Sequence, residues 1–170
     1  EIMGIEPEKP EYWLDQLGAV LARWGIAPKS WQEIGDNGFQ LLVQPSQTWD
    51  AMIWLKAGIR AIPGLDLRMG VGVGRVSDTT ESNAMSDEEA YVHSLDAFNR
   101  LRPLRQHMVF KSRWPDLDGE VNLTFKMVLT IMNTWTPVSC EAILEKMEHA
   151  SLSQKELGVR LGISQHAIST

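Results

Sequence analysis

This chain of 170 residues has little cysteine, few tyrosines, no long apolar run and no surplus of positive charge. The single Cys140 excludes an internal disulfide and fits a reducing compartment. No stretch approaches the ~18 apolar residues of a membrane span, and no basic-then-apolar leader opens the chain. The expectation is a cytoplasmic protein with no membrane part. His93, His107, His149, His166 and Cys140 have no zinc-ligand spacing, which excludes a structural zinc site. Lys and Arg number 16 against 22 Asp and Glu, a net charge of −6. Residues 119–170 carry four Lys/Arg and five Glu. Such a balance lacks the basic footprint from which nucleic-acid binders draw much of their affinity, so DNA binding would have to sum weak half-sites in a dimer or draw on basic residues beyond Thr170. No internal repeat or low-complexity stretch is present.

What is there is most specific at the carboxyl end. Ser153 and Glu156 have the spacing of a capping box, so a helix is expected from Gln154, with Leu157 and Leu161 on one face. Gly158 leaves room for a neighbouring helix, and Gly162 suits the left-handed position that ends a helix. Ser164 then caps a second helix with Ala167 and Ile168 inward and Gln165, His166 and Ser169 outward. This combination resembles the helix-turn-helix of bacterial transcription regulators. The resemblance implies that Gln165, His166 and Ser169 face the major groove and that Lys155 and Arg160 touch phosphates. Only about two turns of the second helix precede Thr170, so the groove-reading helix is expected to continue beyond it.

Upstream, apolar residues at helical spacing run from Trp13 to Trp24, and Gly25 stops them. Trp31–Ile34 and Phe39–Gln44 read as a hairpin around Gly35-Asp-Asn-Gly38. A second helix is expected from Ser46 to about Ala61. Leu67–Val76 follows as one strand, with Met69, Val71 and Val73 on one face and Gly70, Gly72 and Gly74 on the other. A polar loop covers 77–89, a third helix Ala90–Leu101, and a strand Gln106–Lys111. A long helix then runs from about Asp118 to near Trp135, and another opens at Pro137. With Glu1-Ile-Met-Gly4 as the end of a first strand, the order is β-α-β-β-α-β. The fold expected is α+β: a ferredoxin-like sheet domain over 1–116 and an all-α linker and helix-turn-helix over 117–170.

Two front motifs carry chemistry. Glu33-Ile-Gly-Asp-Asn-Gly-Phe39 resembles the Gly-Asp-Gly-Phe hairpin of class III nucleotide cyclases, and Arg68-Met-Gly-Val-Gly-Val-Gly-Arg-Val76 resembles a glycine strand of the same superfamily. Together with Trp135-Thr136 and Gly162-Ile-Ser-Gln165, these motifs resemble SatD-like bacterial proteins, in which a cyclase-type domain precedes a helix-turn-helix. The resemblance covers nearly the whole chain. It implies a metal site of Glu1 and Asp36, Mg or Mn with a nucleotide as cofactor or effector, and a homodimer. Asn99-Arg100 comes later than the family's asparagine and arginine on the corresponding helix. The domain is therefore expected to sense or dimerise rather than catalyse.

Plain structural readings stand beside these. Asp36 suits a tight turn without any ligand. The three glycines serve either close helix packing or an open ligand face. Arg100, Arg102, Arg105, Lys111 and Arg113 form either a solvated basic face or a phosphate contact. Three functions follow: a DNA-binding regulator with a non-catalytic front domain, a metal-dependent nucleotide-binding or nucleotide-cyclising enzyme using Glu1 and Asp36, or a helix-turn-helix that binds protein.

Overall fold

The backbone groups of Ile2 and the side chain of Asn37 set the arrangement of the amino-terminal half. The computed structural model describes residues 1–4, 11–76 and 88–164. Among them are six α-helices and three two-stranded sheets, a mixed fold compatible with the α+β class. They group into two compact units, 1–67 with 135–170, and 68–134.

In the first unit, β1 (Ile2–Met3) pairs antiparallel with β4 (Asp66–Leu67), Ile2 opposite Leu67. The Ile2 amide donates to the Asn37 carbonyl at 2.8 Å, and Asn37 Nδ2 donates to the Ile2 carbonyl at 3.1 Å. A strand residue points its N–H and C=O to one side, so β1 has β4 on one edge and the hairpin turn on the other. That hairpin joins β2 (Trp31–Ile34) to β3 (Gly38–Leu41), with Trp31 opposite Leu41 and Ile34 opposite Gly38. Its turn places Gly35 at φ 60°, the left-handed region glycine enters without Cβ strain.

Helix α1 (Glu11–Ala22) closes where the amides of Trp24 and Gly25 turn back to Leu21 and Ala22. Helix α2 (Thr48–Arg60) packs on it: a Cβ on Gly58 would stand 2.6 Å from a Val20 methyl. Trp54 Nε1 donates to the Val20 carbonyl at 2.8 Å, and the Arg23 guanidinium lies 4.3 Å from the Trp54 ring centre. The carboxyl end supplies α5 (Pro137–Glu148), which packs on α2, and α6 (Gln154–Leu161).

The second unit is a β-α-β-α segment. Parallel strands cannot be joined by a tight turn, and β5 (Met69–Gly72) and β6 (Met108–Lys111) are connected through α3 (Glu89–Leu104). The expected single strand 67–76 is thus two short ones. Asp66 and Leu67 follow β1, the chain changes partner at Arg68, and β5 ends at Gly72, opposite the last residue of β6. Helix α4 (Pro115–Met132), expected with the terminal helices, packs in this unit against β6. Its Phe125 meets Phe110 of β6 edge-to-face, ring centres 6.3 Å apart. It starts three residues earlier than expected because Pro115 fills the first-turn position where a missing N–H costs nothing. Residues 77–87 of the expected loop lie outside the described residues. No described helix is long and apolar enough to cross a membrane.

Candidate functional site

The hairpin latch decides the surroundings of the two expected metal ligands. Glu1 precedes Ile2 and Asp36 precedes Asn37, so each acidic residue adjoins one member of the doubly hydrogen-bonded Ile2–Asn37 pair. Asp36 is exposed and Glu1 half-buried. No cluster of three or more His, Cys, Asp or Glu accompanies them among the described residues. This pair is legible in the sequence only through the family motif, because its members stand 35 positions apart.

Gly70, Gly72 and Gly74 do not form an open ligand face, and that expectation is corrected. A Cβ on Gly70 would lie 2.5 Å from the Phe98 nitrogen, and one on Gly72 would lie 2.2 Å from the Ser94 nitrogen. On Gly74 it would meet the Ala90 nitrogen at 2.6 Å. All three neighbours are backbone of α3. The glycines exist to let a helix lie directly on a strand, and the face is filled.

At the carboxyl end the predicted local chemistry is present. Ser153 Oγ accepts from the Glu156 amide, and Glu156 Oε2 accepts from the Ser153 amide at 2.8 Å. Gly162 is left-handed at φ 67°. The Gly162 amide reaches the Val159 carbonyl, and the Ile163 amide reaches Gly158 at 3.0 Å, a Schellman closure. Lys146 Nζ donates to the Ala150 and Leu152 carbonyls, tying the connection from α5 to α6. Leu157 and Gly158 are buried where α6 meets α5. Lys155 is exposed. Arg160, expected on a phosphate, has its Nε 3.3 Å from Glu145 of α5. Gln165, His166 and Ser169 lie outside the described residues.

The basic cluster near the end of α3 is largely neutralised. Arg100 pairs with Asp96, Lys111 with Asp118, and Arg113 with Glu89. Hydrogen bonds from Arg113, with one from the Arg75 amide, hold the Glu89 carboxyl down at about 2. Most of the face is therefore internally compensated.

Sequence reasoning missed one charged group altogether. Lys56, on the apolar side of α2, is fully buried, 2.6 Å from Asp66 Oδ1 and 3.1 Å from the Leu67 carbonyl. Arg60, one turn later, meets Asp66 Oδ2 at 2.9 Å and the Trp135 carbonyl at 2.7 Å. Burial pulls the Lys56 ammonium below its ordinary value, opposed by Asp66. At Asp66 burial raises the carboxyl, but Lys56, the Leu67 amide and Arg60 together outweigh it and hold it low. The i, i+4 spacing of Lys56 and Arg60 was the available signal; only the fold reveals that both face the same carboxylate.

Comparison with known protein families, with curated proteins and with solved structures returned no match.

Proposed function

We propose that this protein is a DNA-binding regulator with a carboxyl-terminal helix-turn-helix whose first helix is α6, and with a front domain that is cyclase-like, non-catalytic, and used for sensing or for dimerising. The observation that carries this reading is the end of α6: a capped start at Ser153, a buried Gly158 and a left-handed Gly162, in the order the motif requires. Lys155 is exposed for a phosphate. The Arg160–Glu145 pair is partly exposed and long, of a kind that contributes about 0–1 kcal/mol, so an approaching phosphate can displace it. For the front domain, support comes from β1 lying between β4 and the hairpin, the neighbour relation of a ferredoxin-like sheet. The resemblance to SatD-like proteins supplies the pairing of the two parts.

The test is fluorescence anisotropy of the full chain with genomic DNA fragments at several salt concentrations. Saturable binding that falls with salt, weakened several-fold by Lys155→Gln, supports the reading. Absence of saturable binding at low salt ends it. Binding of a protein partner through α6 would then be the better account, since Val159 there is 77% exposed.

A second reading rests on the Ile2–Asn37 latch. Glu1 and Asp36 would hold a magnesium or manganese ion, with triphosphate oxygens and water completing its shell. Thermal shift with a nucleoside triphosphate and manganese tests it, with Asp36→Ala as control. Stabilisation without pyrophosphate release identifies a nucleotide sensor, and release identifies an enzyme.

A further inference from the structure

Asp118, Asn122 and Lys126 succeed one another every four residues and so share one face of α4. The first two are spent on the fold. Asp118 Oδ1 accepts from the amide and hydroxyl of Ser112, both at 2.7 Å, while its other oxygen holds Lys111. Asn122 accepts from the Phe110 amide at 2.8 Å and donates to the Phe110 and Asp118 carbonyls. These bonds fasten α4 to β6. Lys126, one turn further, has no ion pair or side-chain hydrogen bond among the described residues. It opens instead onto a cleft of about 160 Å³ whose walls come from α3, β6 and α4.

Two other cations line that cleft, Arg100 and Lys111. Arg100 engages Asp96 through Nε and Nη2, which leaves Nη1 outside the pair. Lys111 Nζ has bonds to Asp118 and the Ser112 carbonyl, two of its three donors. The only carboxylate in the lining, Asp118, is already committed. Three cations, two of them ion-paired but each keeping a donor outside those contacts, therefore line a space too small for a nucleotide and large enough for one tetrahedral oxyanion.

We propose that this cleft binds a small phosphate-class oxyanion, either free phosphate or the head of a compact phosphomonoester, with Lys126 and Arg100 as the principal donors and Lys111 as the third. The guanidinium supplies directional donors and the two ammonium groups supply charge. Both sources present the same tetrahedral oxygens. The inference is independent of the DNA-binding reading, because every residue involved lies between 100 and 126.

The experiment is a ¹⁵N-correlation titration of the full chain with inorganic phosphate at constant ionic strength, chloride serving as the reference anion. Saturating shifts confined to the backbone around Arg100, Lys111 and Lys126 are expected, with weakening of roughly fivefold or more in Lys126→Gln. That substitution removes no fold contact, so its urea midpoint should match the parent chain; Arg100→Gln gives a second reading of the same site. A parallel series with glycerol phosphate separates the sources: tighter binding than phosphate assigns the site to a monoester, and equal binding to the free ion. Shifts no larger than those from chloride, or unaffected by Lys126→Gln, would overturn the proposal. So would shifts at these residues with duplex DNA but none with phosphate, which would make the face a DNA-backbone contact.

Discussion

The Lys56 ammonium has no exposed surface and its charge is answered at 2.6 Å by Asp66, ten residues later on β4. Helix α2 and strand β4 are thereby joined by a charge pair inside the first unit. Removing one member of a buried pair costs more than the pair contributes, because the survivor is left uncompensated.

Asp66→Ala takes from Lys56 and Arg60 the carboxylate they share, leaving each its backbone carbonyl, and should cost about 3 kcal/mol in urea unfolding. Lys56→Met should cost much less, about 1 kcal/mol, since Asp66 keeps Arg60 and the Leu67 amide while the apolar stem is preserved. Equal losses in the two variants would refute this account. The pH sign follows from the low-held Asp66 carboxyl. Its contribution is present above the unfolded value of about 3.9 and disappears as pH falls through the lower folded value. Lys56 works in the alkaline range. Held below its ordinary value, it makes stability rise with pH from its folded value toward about 10.4.

Glu89 provides an exposed counterpart. Its carboxyl, held at about 2 by Arg113, should titrate there by NMR, and Arg113→Ala should return the midpoint most of the way to the ordinary carboxylate range. The fold gains from Glu89 above about 4.3 and loses that gain between there and about 2. A Glu89 midpoint unmoved by Arg113→Ala would show that the bidentate contact is not the cause.

Arg105 and Gly162 end α3 and α6 in the same left-handed geometry, at φ 52° and 67°. In both, the following amide reaches back five residues, Gln106 to Leu101 and Ile163 to Gly158. An arginine there bears the Cβ strain that glycine escapes. Arg105→Gly should stabilise by about 0.5–1 kcal/mol, while Gly162→Ala should destabilise by about 1 kcal/mol despite open space around it. Thermal melts of the two variants should shift in opposite directions.

Cys140, wholly buried on α5, has its thiol pushed up to about 11, chiefly by that burial. At pH 8 about one molecule in a thousand carries the thiolate, and reagent access is blocked besides. Disulfide-exchange reagents should label the native protein at the rate of opening, and urea should accelerate labelling in step with unfolding. Fast labelling of the folded chain would contradict the placement of α5.

Much of the local structure was legible in the residues. The hairpin came from Gly35-Asp-Asn-Gly38, and the α6 boundaries from Ser153, Glu156 and Gly162, because turn and cap preferences act over a few residues. What was not legible depended on pairing at a distance. The change of partner at Arg68 requires knowing where β1 and β6 lie. Trp114, a large aromatic that composition alone would place in the core, is 51% exposed beside the Arg113 guanidinium. The pairing of Lys56 with Asp66 likewise depends on how β4 lies against α2. The link between the first strand and the hairpin turn rests on Asn37, whose side chain no local rule singles out.

The contact between β5 and α3 restricts how this protein can vary. The atoms that would meet a methyl group at position 72 are the Ser94 nitrogen and the Ala90 oxygen, which every amino acid possesses. Trimming side chains on the helix therefore creates no room, and a Gly72→Ala chain, losing about 3 kcal/mol by overpacking, has no second-site suppressor among the helix's side chains. Repair would require the whole helix to shift outward, so drift at Gly70 and Gly72 is blocked one substitution at a time.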